Sequence, residues 1–161
     1  MKATGIVRRV DELGRLVIPK EIRRTMRLAE GTPLEIFTDR EGEIILKKYS
    51  PMMELGSFAK QYAESVAQTM NQKVAVSDRD QIIAVAGGGK RELLGKTISR
   101  QLEEMIINRE NSIQAGLDKK TIPLISGDED SYSAQAIYPI CCEGDCIGAV
   151  ILYSRENQTR F

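Results

Sequence analysis

The chain has 161 residues, 42% hydrophobic and 29% charged, with 23 basic residues balanced by 23 acidic ones, a length that suits one domain or two small ones. No run approaches the ~18 consecutive apolar residues of a membrane helix, and the start Met1-Lys2-Ala3-Thr4-Gly5-Ile6-Val7-Arg8-Arg9 lacks the apolar core of a signal peptide. With no His or Trp and only three Cys, little familiar catalytic or metal chemistry is on offer, so a cytoplasmic protein with reduced thiols, no membrane partner, no metal and no cofactor is expected.

The charge is unevenly placed. Residues 1–50 hold 11 basic and 8 acidic residues, net +3, whereas residues 51–161 hold 12 and 15, net −3, which points to an N-terminal half facing an acidic partner such as nucleic acid. Ala3 to Val10 reads as a strand, Asp11 to Gly14 as a turn and Leu16 to Ile18 as a short apolar strand. Pro19 then opens a helix of about two turns, because proline is well tolerated at a first helical position. At 100° per residue Lys20, Arg23, Arg24 and Arg27 fall within an arc of roughly 100°, while Ile22 and Met26 lie on a separate arc that can face a core. Glu30-Gly31-Thr32-Pro33 ends the helix, Leu34 to Thr38 alternates as a strand, Asp39 to Gly42 turns, and Glu43 to Tyr49 is a second strand. A unit of about 50 residues is too small to bury much core alone and is expected to gain one by pairing with a second copy.

Between Arg8 and Arg27 six arginines accompany a single lysine, and guanidinium suits sites where phosphate or guanine is held by two hydrogen bonds. The bland alternative is a solvated charged helix. The run Gly14-Arg15-Leu16-Val17-Ile18-Pro19-Lys20-Glu21-Ile22-Arg23-Arg24, followed by Gly31-Thr32-Pro33-Leu34-Glu35-Ile36, resembles the AbrB-type swapped-hairpin DNA-binding family, transcription regulators of spore-forming bacteria. The resemblance implies an intertwined dimeric β-barrel over residues 1–50, with double-stranded DNA as partner and DNA contacts at Arg8, Arg15, Arg23 and Arg24. Arg9 and Lys20 join the candidate set, although adjacent strand residues such as Arg8 and Arg9 point to opposite faces. The same small barrel also serves as a protein-binding module of the antitoxin kind, which would predict a disordered acidic tail in place of a patterned second half.

Ser50-Pro51 signals a helix start, Ser as cap and Pro in the first turn. Met52, Leu55, Ala59, Tyr62, Val66 and Met70 then recur at helical spacing, giving a connecting amphipathic helix over 51–72 that packs on its own domain or on a partner helix. Beyond it, Val74 to Ser77 and Gln81 to Ala86 read as strands around an Asp78-Arg79-Asp80 turn. Ser99 to Glu110 reads as a helix, and Lys120 to Ile125, Tyr132 to Ile140 and Cys146 to Tyr153 as strands, with Glu143-Gly144-Asp145 turning the last pair. This order of elements over 73–161 resembles a GAF-type sensor domain and implies an α+β protein: a small barrel followed by an α/β sensor domain with a small-molecule ligand of unspecified chemistry. Ser154 to Phe161 is short and polar where such a domain would continue into a terminal helix. The assembly implied is a homodimer or a homotetramer.

Three features invite other chemistry. Gly87-Gly88-Gly89-Lys90 lacks the spacing and the following Ser or Thr of a Walker loop, so a strand-to-helix connection is expected instead. Asp78 and Asp80 offer too few oxygens for a hard cation and suit a turn. Cys141, Cys142 and Cys146 share one hairpin, where Cys142 and Cys146 can face each other across a three-residue turn; without His they make an incomplete zinc site, and small buried hairpin residues are expected, with a redox sensor as the alternative. No nucleophile has a base partner, so no catalysis is expected.

Overall fold

The structure, a computed structural model, describes residues 4–115, 120–128 and 132–156. The chain divides into two units, Met1–Tyr49 and Ser50–Phe161.

Unit 1 contains helix α1 (Lys20–Thr25) and an antiparallel hairpin of β1 (Leu34–Thr38) and β2 (Ile44–Lys48), in register from Leu34↔Lys48 to Thr38↔Ile44. The expected strands at 3–10 and 16–18 do not form ladders: among the described residues, 4–10 and 16–18 carry no strand. A strand exists only where its amides meet a neighbour, and only the Asp11–Arg15 turn between the two segments closes on itself, with the Asp11 amide donating to the Arg15 carbonyl at 3.0 Å. Pro19 sits just outside α1 as its cap residue. The helix is shorter than the arc of charges required, because Arg27 adopts a left-handed φ of 54° and leaves the helical path. Among described residues 4–49 only Pro19 is buried, while Val7, Leu13, Val17, Ile36 and Ile44 are each more than two-thirds exposed. Unit 1 therefore has apolar side chains in quantity and no core of its own.

Unit 2 does have a core. A five-stranded antiparallel sheet runs in the order β4-β3-β7-β6-β5, built from β3 (Lys73–Ser77), β4 (Ile82–Ala86), β5 (Ser112–Ala115), β6 (Ala134–Cys142) and β7 (Asp145–Ser154). On one face α3 (Gly56–Met70) lays Ala59, Ala63 and Ala67 against Val74, Val76, Ala84 and Ala86. On the other, α5 (Arg100–Ile107) buries Leu102 and Ile106 with Ala75, Ile137 and Ile151. Gly148 permits the close crossing of β7 and β3, since a Cβ there would lie 2.0 Å from the Ser77 carbonyl oxygen.

Several elements differ from expectation. The connecting helix is two helices, α2 (Pro51–Glu54) and α3, divided at Leu55. Its apolar stripe splits accordingly: Met52 and Ala59 are buried, while Leu55, Tyr62 and Met70 stay exposed, Tyr62 stacking on Phe58, which lies outside the stripe. Ser50 occupies the cap position but its hydroxyl donates to Asp78 Oδ2 at 3.1 Å instead of accepting from α2. Lys120 to Ile125 is not a strand; it is held by Gln135, whose side chain accepts from the Ile122 amide and donates to its carbonyl, and by a lone bridge from Ile98 to Ile125. Strand β5 and the one-turn helix α4 (Lys90–Leu93) were not legible as apolar runs. The expectation for the extreme C-terminus falls largely on residues 157–161, outside the described residues.

Candidate nucleic-acid interface

The sequence-derived basic residues Arg8, Arg9, Arg15, Lys20, Arg23 and Arg24 are all exposed. Arg15 is presented by a tight turn. Asp11 Oδ1 accepts from the Leu13 amide at 2.9 Å and the Arg15 amide at 2.8 Å, and Gly14 supplies the left-handed φ of 74° the turn requires. The Arg15 Nε then reaches Asp11 Oδ2 at 2.7 Å. The Arg15 amide and then its guanidinium hold the Asp11 carboxyl below its ordinary range. Aspartate thus fixes where the Arg15 side chain starts, and the contact is exposed enough to be exchanged for a phosphate.

Helix α1 carries Lys20 at its first residue and Arg23 and Arg24 in its last turn. Cations at a helix C-terminus complement the dipole, which is the purely structural role open to the two arginines. Arg23 also donates from Nε to the Ile18 carbonyl at 3.1 Å, across Pro19, tying the helix to the apolar segment that follows Arg15. The Arg8 guanidinium donates to the Val7 carbonyl at 3.0 Å. These segments meet around one open apolar groove of about 310 Å³, lined by Arg8 and Ile6, by Leu16 to Pro19, by Ile22 and Met26, and by Leu34 and Leu46 of the hairpin. The arrangement pairs a ring of guanidinium-bearing segments with an apolar depression that the single chain leaves uncovered.

The other candidate chemistry resolves into structure. Gly87, Gly88 and Gly89 all have positive φ; a Cβ on Gly87 would meet the Gln72 carbonyl oxygen at 2.5 Å, and the Tyr153 hydroxyl donates to the Gly88 carbonyl. The triplet packs a connection against the sheet. Asp78 is buried and its Oδ1 accepts from the Asp80 and Gln81 amides at 2.7 and 2.8 Å, as a turn residue does. Behind the glycine loop, burial first and then the Asp128 hydrogen bond push the Tyr132 phenol up, and burial pushes Tyr153 up to about 12. Arg155 joins Asp128 and Glu92 there, lying over the Tyr132 ring. The cysteine expectation is corrected: the turn holds two residues, Glu143 and Gly144, so Cys142 opposes Asp145, and Cys141 opposes Cys146.

Residues 54–161 match the family model described as stage V sporulation protein T C-terminal, transcription factor, and residues 7–53 match that of the antidote-toxin recognition protein MazE, a bacterial antitoxin. Stage V sporulation protein T of Bacillus subtilis (strain 168) is 50% identical over 157 residues, covering 98% of this chain and 87% of that protein. The N-terminal DNA recognition domain of the Bacillus subtilis transition-state regulator AbrB is 67% identical, covering 32% of this chain and 94% of that one, with a TM-score of 0.27. The phycocyanobilin-bound GAF domain of a cyanobacterial phytochrome is 19% identical over 66% of this chain and 74% of that one, with a TM-score of 0.46. The chain belongs to the stage V sporulation protein T family of transcription factors.

Proposed function

We propose that this regulator works as a homodimer whose paired N-terminal units hold double-stranded DNA through Arg8, Arg9, Arg15, Lys20, Arg23 and Arg24, in the control of sporulation genes. The observation that carries the reading is the coincidence of exposed arginines with a unit that has no core in one chain. A second copy would cover the apolar groove and double the basic surface. A two-fold arrangement calls for two half-sites about one helical turn apart. The basic set contains no Asn or Gln to read base edges, so DNA shape and deformability supply much of the specificity.

Unit 2, with its own core, serves as a sensor domain for a small-molecule ligand and not as a catalyst; domains run 1–50, 51–72 and 73–161. The protein acts in the cytoplasm, and no helix among the described residues is long and apolar enough to cross a membrane. The test is a salt titration of promoter DNA binding with Arg23→Ala. In a dimer this removes two phosphate contacts, so the log–log salt slope should become shallower by ~1.8. An unchanged slope and unchanged affinity at every salt concentration would remove Arg23 from the interface.

The match of residues 7–53 to the MazE antitoxin model favours one second reading, a module that binds a protein partner. The packed unit 2 stands against the disordered tail that reading needs. Co-purification of a stoichiometric small protein, with no retention of promoter DNA, would decide for it.

A further inference from the structure

The tip of the β6–β7 hairpin carries all three cysteines, and its register separates them. Glu143 and Gly144 form a two-residue turn with φ of 50° and 91°, both in the left-handed region that such tight hairpin turns require. Cys142 pairs with Asp145 and Cys141 with Cys146. Because successive strand residues point to opposite faces, Cys141 and Cys146 share a face and Cys142 is turned from it. The structure joins Cys141 to Cys146 in a disulfide and leaves Cys142 free and exposed. Cys146 is 3% exposed and belongs to the core, whereas Cys141 is open to solvent. The tip is also held from outside the hairpin: Arg79 Nε donates to the Cys146 carbonyl at 2.7 Å, and Arg109 donates to the Gly144 carbonyl. The register therefore does not depend on the sulfur–sulfur bond.

A transcription factor works beside DNA in a compartment that keeps thiols reduced, where disulfides are transient and chemically responsive. We infer that Cys141 and Cys146 form a reversible dithiol–disulfide site that reacts with hydroperoxides, Cys141 attacking and Cys146 resolving. The Cys141 thiolate attacks one peroxide oxygen, the O–O bond breaks, and the released oxygen takes up the thiol proton and leaves as water, or as an alcohol from an organic peroxide. Cys141 is then a sulfenic acid. The Cys146 sulfur attacks that sulfur, the S–S bond forms, and the hydroxyl leaves as a second water with the Cys146 proton. Two thiols thus give two electrons and two protons, and hydrogen peroxide becomes two waters. The inference rests on the hairpin register and the family, and is independent of which arginines touch DNA.

The test counts maleimide labels by mass on the full chain, reduced, treated with stoichiometric hydrogen peroxide while folded and then unfolded in guanidinium for labelling, so that the buried Cys146 is also reached. The reduced protein should take three labels and the oxidised protein one, with three restored by dithiothreitol. Cleavage after Glu143 should leave two peptides joined until reduction. In Cys142→Ser the drop should be from two labels to none, whereas Cys141→Ser should keep both of its labels under peroxide. Three labels surviving peroxide, a drop that disappears in Cys142→Ser, covalent dimers through Cys142 alone, or a loss that dithiothreitol does not reverse would each overturn the assignment.

Discussion

Ile36 separates the single-chain view of unit 1 from the dimeric one. In one chain Ile36 is 67% exposed, on the face of β1 that it shares with Leu34, opposite Leu46 on β2. Truncation to alanine at so exposed a position should cost no more than ~0.5 kcal/mol, plus up to ~1 kcal/mol of strand preference. If a second copy covers that face, Ile36 becomes a core residue, and Ile36→Ala costs ~2–5 kcal/mol per site, or ~4–10 kcal/mol over the dimer. We expect the larger loss. Amide exchange within Leu34–Lys48 of the full-length protein reads unit 1 separately from unit 2, and a loss of ~4 kcal/mol would lower protection there about 1000-fold. Protection in the parent protein should also rise with concentration, since folding and association are linked. A change below tenfold, with protection independent of concentration, would refute the reasoning and require unit 1 to be stable alone.

Further outcomes follow from single contacts. Gly148→Ala should destabilise unit 2 by ~3 kcal/mol or more in urea unfolding, because the new methyl meets backbone of Ser77 and no flexible side chain can yield. Leu102→Ala, at a fully buried core position, should cost ~2–5 kcal/mol in the same assay, whereas Phe58→Ala, on the exposed side of α3, should cost less than ~1 kcal/mol in the isolated chain. Tyr153 has a folded pKa of about 12 against an ordinary 10.0, so its contribution is fully present below pH 10 and is lost as pH rises towards 12. Unit 2 should therefore lose on the order of 1–2 kcal/mol across that window, and Tyr153→Phe, which cannot ionise, should flatten the alkaline profile followed by circular dichroism. Asp11→Ala should loosen the turn that presents Arg15 and weaken DNA binding by a few fold without touching phosphate, leaving the salt slope unchanged.

Much of this protein was legible because local chemistry decides it. The density of arginine between Arg8 and Arg27, the proline before α1, the alternation of Leu34 to Thr38 and the apolar run of β7 all act within a few residues, and each was read at its place. The lack of a core in unit 1 was also expected, from size alone. Other features depend on partners distant in sequence. Strand β5 has only four residues and is a strand because β6 supplies its ladder. Residues 120–125 have strand-like composition, but the Gln135 side chain takes the hydrogen bonds a neighbour would have made. The stripe on α3 divided because a close helix–sheet approach admits alanine and turns Tyr62 and Met70 away. Counting the hairpin turn as two residues, which Glu143-Gly144 allows, would have found the Cys141–Cys146 pair. The sequence by itself determined where the positive charge lies and that unit 1 is too small to bury much core in one chain, because both are sums over composition. Only the tertiary structure decided which side chains surround the groove and which thiols meet, because a shift of one residue in register reverses the face of every side chain on a strand.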